Sequence, residues 1–223
     1  GFHRGNVNMP PRHEHHLAVA GCLFPGHPLA AVWRQRGIEE QEWMMAHMVS
    51  PGGACRECPS YTIDSAHLPM FHAAIPLRYS GFGDRFSDAR LMSSYNYLMN
   101  LCTPPDARFG VRVAPAFGNG TWLPVPFFGW MANLTRATDP LFSSHMQWMW
   151  LEHGRPDWYE FSELLIDPAL PAEQPKLKSQ AFPGFGAVLR SGFPSADEHW
   201  LAFHIGENVE HYNCGDQGSF MYY

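Results

Sequence analysis

The chain has 223 residues, 45% of them hydrophobic and only 16% charged, with 20 glycines and 20 prolines. This many aromatics and this few charges exclude a disordered chain, and no run of about eighteen apolar residues is present to span a membrane. A formal charge of −6 without any basic block makes nucleic acid a poor partner.

The basic residues are skewed. Of fifteen lysines and arginines only Lys176 and Lys178 are lysines, set against 13 histidines. Guanidinium and imidazole groups suit planar hydrogen bonding to carboxylates or hydroxyl-rich ligands, although a compositional habit of the source would give the same skew. The chain opens at Gly1 without a signal peptide and closes on Gly218-Ser-Phe-Met-Tyr-Tyr223 with no cap after it. Both ends read as cut, so a piece of a longer protein is expected.

In chain order, residues 13–24 are helix-compatible, and 28–49 form a second helical run with Pro28 at its first turn, stopped by Pro51-Gly-Gly53. A third run over 61–80 carries Pro69 and Pro76 and is expected to be bent or split. A fourth covers 84–101 and ends at Pro104-Pro105, and a fifth covers 139–152. The stretch 110–132, rich in glycine, proline and aromatics, reads as a long structured loop. Residues 167–183 are proline-rich, hold both lysines and read as a linker. Beyond them the period changes to that of strands over 185–190, 199–205 and 218–223, with a turn at Pro194-Ser-Ala-Asp197. Helices come first, then an antiparallel sheet that stops short of a complete layer.

Cys55-Arg-Glu-Cys58 has the spacing of a redox pair or of half a zinc site. No second pair completes a zinc site, and the preceding Pro-Gly-Gly is not the setting of a redox helix. The odd total of five cysteines argues against a disulfide scaffold. Asn119-Gly-Thr121 and Asn133-Leu-Thr135 are glycosylation sequons that matter only in a eukaryotic secretory setting.

Three polar clusters could carry chemistry. The first runs from Asn6 through Asn8 and Arg12 to His13-Glu-His-His16, where His13 and His16 can share a helix face. These imidazoles suit either an active-site wall or a packed helix start. In the second, Glu57-Cys-Pro-Ser-Tyr61, Tyr61 stands near the mouth of a helical run, and use of its phenol as a base requires cationic or donor neighbours such as histidines or Arg78. The third, His211-Tyr-Asn-Cys-Gly-Asp-Gln-Gly-Ser-Phe220, leads straight into a strand, where His211 and Asp216 could orient one another or share a metal. No nucleophile elbow, phosphate-binding loop or nucleotide fingerprint occurs.

Taken in order, Asn8, Ala20-Gly-Cys-Leu-Phe-Pro25, Trp33-Arg-Gln-Arg-Gly37, Glu57-Cys-Pro-Ser-Tyr61, His211 and Asp216-Gln-Gly-Ser-Phe220 resemble the heparinase II/III-like polysaccharide lyases across nearly the whole chain. The resemblance implies an α+β multidomain fold, an incomplete (α/α) toroid of paired helices followed by the beginning of an antiparallel β-sheet domain. Residues 1–166 would be the partial toroid and catalytic helical domain, 167–183 the linker, and 184–223 the truncated start of the sheet domain. The implied activity is β-elimination on a uronic-acid-containing polysaccharide, with heparan-like chains, alginate and hyaluronan all open.

By the same resemblance Asn8 neutralises the uronate carboxylate, Tyr61 is the catalytic tyrosine and His211 assists the proton traffic. Arg12, His13, His16, Glu57, Arg78, Trp122 and Trp130 are the expected substrate-binding residues, with Trp122 and Trp130 able to stack on sugar faces. Elimination requires no cofactor. A divalent metal such as zinc or calcium is expected near Asp216, but counting back from it gives Cys214 and Tyr212 in place of the family's alternating histidines, with His211 one place further, so either one residue is inserted or the metal-ligating position is altered. The expected partner is an acidic polysaccharide, the oligomeric state is left open, and a periplasmic or secreted location follows from the resemblance alone. Two other readings stand beside it: a non-catalytic carbohydrate-binding or structural fragment, and a metal-dependent glycan hydrolase using His13, His16 and Asp216.

Overall fold

Two glycines determine how the first helices meet. In the computed structural model, which describes residues 9–118, 120–157, 162–206 and 218–223 (side chains at 9–13 and 162–163 apart), α1 (Met9–Leu23) and α2 (Ala30–His47) form a tight antiparallel hairpin. A Cβ on Gly37 would overlap that of Ala18, and one on Gly21 would sit 2.6 Å from the Ala30 carbonyl. Glycine in a helix interior costs about 1 kcal/mol relative to alanine; here it permits the backbones to approach.

The third run is split, as its prolines predict. Cys58 is extended and Pro59 opens the single-turn α3 (Pro59–Tyr61). A π-helical segment, Thr62–His67, follows, and α4 (Leu68–Tyr79) continues from it. Pro69 has no N–H for the carbonyl one turn back, so the helical ladder is interrupted there and the wider π spacing accommodates its ring.

Helix α5 (Ala89–Leu101) starts where Asp88 caps the Arg90 N–H at 2.9 Å. Helix α7 (Pro140–Glu152) starts where Asp139 caps that of Phe142, also at 2.9 Å. Between them lies α6 (Phe127–Thr135), inside the stretch that reads as loop. That expectation is corrected only from Phe127 onward. Phe127, Phe128, Trp130, Met131, Ala132 and Leu134 are all buried; the helix is only nine residues long, and Pro124, Pro126 and Gly129 give the stretch a loop-like composition. Its Gly129 lies where a Cβ would press on Trp150 and Ile166 at 3.0–3.1 Å. The single turn α8 (Ser162–Leu165) ends the helical part.

The sheet is antiparallel and open, in the order β1 (Gln180–Phe182), β2 (Gly186–Ser191), β3 (His199–His204) and β4 (Phe220–Tyr222). Strand β1 falls within the proline-rich stretch 167–183. Along β3 the inward positions alternate as Trp200, Ala202 and His204, the period of two that a one-sided sheet requires. Val188, Trp200 and Ala202 join Tyr97, Phe117, Phe128 and Trp130 in one hydrophobic core, so sheet and helices share an interior. Full burial of each such aromatic side chain contributes roughly 1.5–3 kcal/mol.

A buried ionic cluster ties the two layers together. Glu198, just before β3, accepts from Arg112 Nη2 at 2.7 Å and from Arg190 Nη1. Arg190 Nη2 also donates to the carbonyls of Asn100 (2.8 Å) and Cys102 (2.6 Å) at the C-terminal end of α5. The architecture is thus an incomplete helical array followed by a small unclosed antiparallel sheet, as the sequence predicts.

Candidate active site at the junction of helices and sheet

Tyr61 ends α3 and leads into the π-helical segment, half-buried between solvent and core. Its neighbour Ser60 is fixed by the aromatic loop. Ser60 Oγ accepts the Thr121 N–H at 3.2 Å and lies 3.7 Å from Cys58 Sγ. Gly120 permits this contact, since a Cβ there would stand 2.8 Å from Ser60 Oγ and 2.9 Å from the Phe117 carbonyl. On the loop's other side the Phe117 ring lies 6.1 Å from that of His204.

His204 closes β3 on the inward face. Its N–H donates to Ser219 O at 2.9 Å, and its carbonyl accepts from Gly218 N at 2.7 Å. Gly218 and Ser219 are therefore tied back to His204. Helix α1 packs along α4 and reaches the π-helical segment. His15 lies 5.3 Å from His72 between ring centroids, and Ala18 clusters with Ala73 and Leu77, so α1 runs parallel to α4 with its start toward the π-helical segment. Thr121 thus meets Ser60 at the end of the helical array, and Phe117 meets His204 at the end of β3.

Of the sequence-predicted residues, Asn8, His211 and Asp216 lie outside the described residues, while Arg12 and His13 are placed only as backbone in the first turns of α1. His16 is exposed and lies 3.8 Å from the His15 ring. The His72 imidazole is held below its ordinary pKa by burial and then by the charge of His16. Glu57 is buried, and its carbonyl accepts from Thr62 Oγ1 at 3.2 Å.

Arg78 is directed elsewhere. It donates to Leu134 O at 2.6 Å and pairs with Asp84 at 3.7 Å, lining an open groove of about 560 Å³ between α4 and α6. Trp130 is 2% exposed, 4.9 Å from Phe127 and 5.8 Å from Phe71 between ring centroids. Its expected role as a sugar platform is corrected: α6 is buried on nearly all sides, and the indole packs the core. Trp122 keeps an accessible position on the loop beside Thr121.

Cys55 and Cys58 are free buried thiols, Cys55 pushed up to about 11 and Cys58 raised, both chiefly by burial. Neither is poised as a thiolate. Among the described residues no group of three histidine, cysteine, aspartate or glutamate side chains is placed to hold a metal ion. Sequence reasoning missed His204 and the Ser60–Thr121 contact. The first was within reach, since alternation along β3 puts His204 on the face of Trp200; the second joins residues 61 positions apart and leaves no local pattern.

No family model and no curated protein matches the chain. Solved structures do. A heparinase III crystal structure superposes with a TM-score of 0.66 at 16% identity, covering 94% of this chain and 32% of that one. Heparan sulfate lyase HepC from Pedobacter heparinus gives 0.66 and 16%, covering 94% and 30%. A heparinase III gene product with methylated lysines gives 0.61 and 19%, covering 94% and 29%. The fold is that of heparinase III-like lyases, a distant likeness carried by architecture. The chain spans about a third of the length of these structures.

Proposed function

We propose that this chain forms part of a polysaccharide lyase that cleaves a uronic-acid-containing polysaccharide by β-elimination. The single observation that supports it best is that Thr121 holds Ser60, the neighbour of Tyr61, while Phe117 lies against His204 of the sheet. The division into a partial toroid over 1–166, a linker over 167–183 and the start of a sheet domain over 184–223 belongs to the same proposal, as does a periplasmic or secreted location.

The chemistry sets what the residues must do. The proton on C5 of a uronate is weakly acidic while the neighbouring carboxylate is charged. Asn8, with Arg12 or a histidine of α1, donates hydrogen bonds to that carboxylate and stabilises the enediolate that develops. Tyr61 or His211 takes the C5 proton. Tyr61 then returns a proton to the departing O4 oxygen as the C4–O4 bond breaks, leaving a C4–C5 double bond. An acidic net charge is compatible with an anionic substrate, because arginine and histidine placement sets the local field.

The test is a panel of heparan sulfate, alginate and hyaluronan, followed at the ultraviolet absorbance of the unsaturated product. Tyr61→Phe is expected to lose at least about 10²-fold in kcat, the lower range for a positioned acid or base, with its thermal midpoint unchanged. Hydrolytic products without the ultraviolet signal, or full activity in Tyr61→Phe, would overturn the reading.

A further inference from the structure

Beside this site the turn 106–111 holds a guanidinium in a fixed plane. The Asp106 N–H donates to Val111 O at 2.9 Å, and its carbonyl accepts from the N–H groups of Phe109 and Gly110. The Asp106 carboxylate, 2% exposed, accepts from Arg108 Nε (3.0 Å), Arg108 Nη2 (2.7 Å), the Arg108 N–H (2.8 Å) and the Tyr223 hydroxyl. Arg108 Nη2 also reaches the Tyr223 oxygen at 3.1 Å. The guanidinium carbon lies 4.4 Å from the Trp122 ring centroid and 5.4 Å from that of Phe109. Among the described residues Nη1 has no partner, on a side chain that is 55% exposed.

We propose that Arg108, Trp122 and Phe109 form a subsite for an acidic sugar residue of the glycan, next to Tyr61; its place beside the scissile bond rests on the lyase reading. Trp122 directly follows Thr121, whose N–H is bound to Ser60, so the rim and Tyr61 are held by one contact. A pyranose offers an apolar C–H face to an aromatic ring and a carboxylate or sulfate to a directed donor. Exposed Phe109 and Arg108 Nη1 supply the two, and half-buried Trp122, overlain by Arg108 and met edge-on by Tyr223 at 6.1 Å, borders them. Asp106 and Tyr223 fix the guanidinium before any ligand arrives, so little side-chain freedom is lost on binding. Because buried Asp106 already balances the Arg108 charge, the subsite selects an acid through a hydrogen bond from Nη1 rather than through net positive charge.

The test separates this subsite from the lyase reading. The full chain carrying Tyr61→Phe is titrated with size-matched oligosaccharides of heparan sulfate, alginate, hyaluronan and neutral xylan, by calorimetry and tryptophan fluorescence. At least one acidic oligosaccharide is expected to bind and the neutral one not. Arg108→Met is expected to weaken binding about ten-fold, the size of one charge-assisted hydrogen bond. Trp122→Phe removes the fluorescence response.

Since Arg108→Met leaves Asp106 without a cationic partner, Arg108→Lys serves as the second variant. It keeps a cation beside Asp106 but loses the planar fork, and is expected to bind as weakly as the methionine variant. Undiminished affinity in both variants, a preference for the neutral sugar, or no acidic sugar bound overturns the subsite. Acid binding through Arg108 together with hydrolytic products that lack the ultraviolet signal sinks the lyase reading and leaves the subsite standing. Unsaturated product with an unchanged KM in both Arg108 variants does the reverse.

Discussion

Arg112 and Glu198, each about 1% exposed at the side chain, are joined at 2.7 Å across the seam between helices and sheet. Arg112 also donates to Thr103 O at 3.1 Å and to Glu152 at 3.2 Å, and its guanidinium carbon lies 5.0 Å from the Phe193 ring centroid. Arg190 bonds the other Glu198 oxygen and lies 5.2 Å from the same ring. One carboxylate thus holds two buried cations, and the sheet that carries His204 is fixed to α5 and α7 through it.

Removing that carboxylate charge leaves two guanidiniums in the interior with a neutral partner. Glu198→Gln is expected to cost about 3–5 kcal/mol, the usual penalty for breaking a buried pair by one member. Glu152→Gln, where the carboxylate is 35% exposed, is expected to cost less than about 1 kcal/mol. Urea denaturation of both variants checks the contrast.

Gly37→Ala runs against helix propensity. Alanine is the better helix former by about 1 kcal/mol, yet its Cβ would collide with that of Ala18. The expected outcome is a net loss of about 1–3 kcal/mol, the range for overpacked cores, measured as a fall in the thermal midpoint.

Gly120→Ala tests the contact that holds Tyr61. The new Cβ would meet Ser60 Oγ at 2.8 Å and the Phe117 carbonyl at 2.9 Å, so the loop must move off Ser60. On the lyase reading, elimination is expected to fall about ten-fold or more through misplacement near the reacting groups, with a smaller loss of stability than Glu198→Gln. Steady-state rates and a melt of the same preparation read both.

Two buried histidines make stability depend on pH. His67 and His153 are each held down to about 3 by burial, with Arg112 as a lesser cause at His153. Their unfolded values lie near about 6.5, so between those limits the unfolded chain binds more protons. Their contribution is complete above about pH 6.5 and is lost as pH falls toward 3, at roughly 1.4 kcal/mol per pH unit for each group. His153 Nδ1 accepts the Val125 N–H at 3.0 Å, which assigns the neutral tautomer with its proton on Nε2. Denaturation midpoints between pH 6 and 4.5 are expected to fall in the unsubstituted chain and to fall less steeply in His153→Gln.

Helical order was legible wherever a segment had one wet face and a marked end. Asp88 and Asp139 as caps, Pro59 and Pro140 at helix starts, and Pro51-Gly-Gly53 as a stop all act within a few residues of where they stand. Alternation along 199–204 gave β3 by the same local rule. Helix α6 was masked by composition: Pro124 and Pro126 precede it and Gly129 lies inside it, so nine helical residues read as loop.

The sequence by itself determined that helices precede an antiparallel sheet, and that Tyr61 falls at the entrance of a proline-split helical run. Backbone propensity and hydrophobic period act over one or two turns, and the order of the elements follows from them. Only the tertiary structure decided that Trp130 is packing while Trp122 stays at the rim. Only it brought Thr121 to Ser60, Glu198 to Arg112 and Tyr223 to Asp106. Those partners are separated by 61, 86 and 117 positions. Contacts at such range are selected by packing the whole chain, and nothing in the local pattern of either partner announces the other.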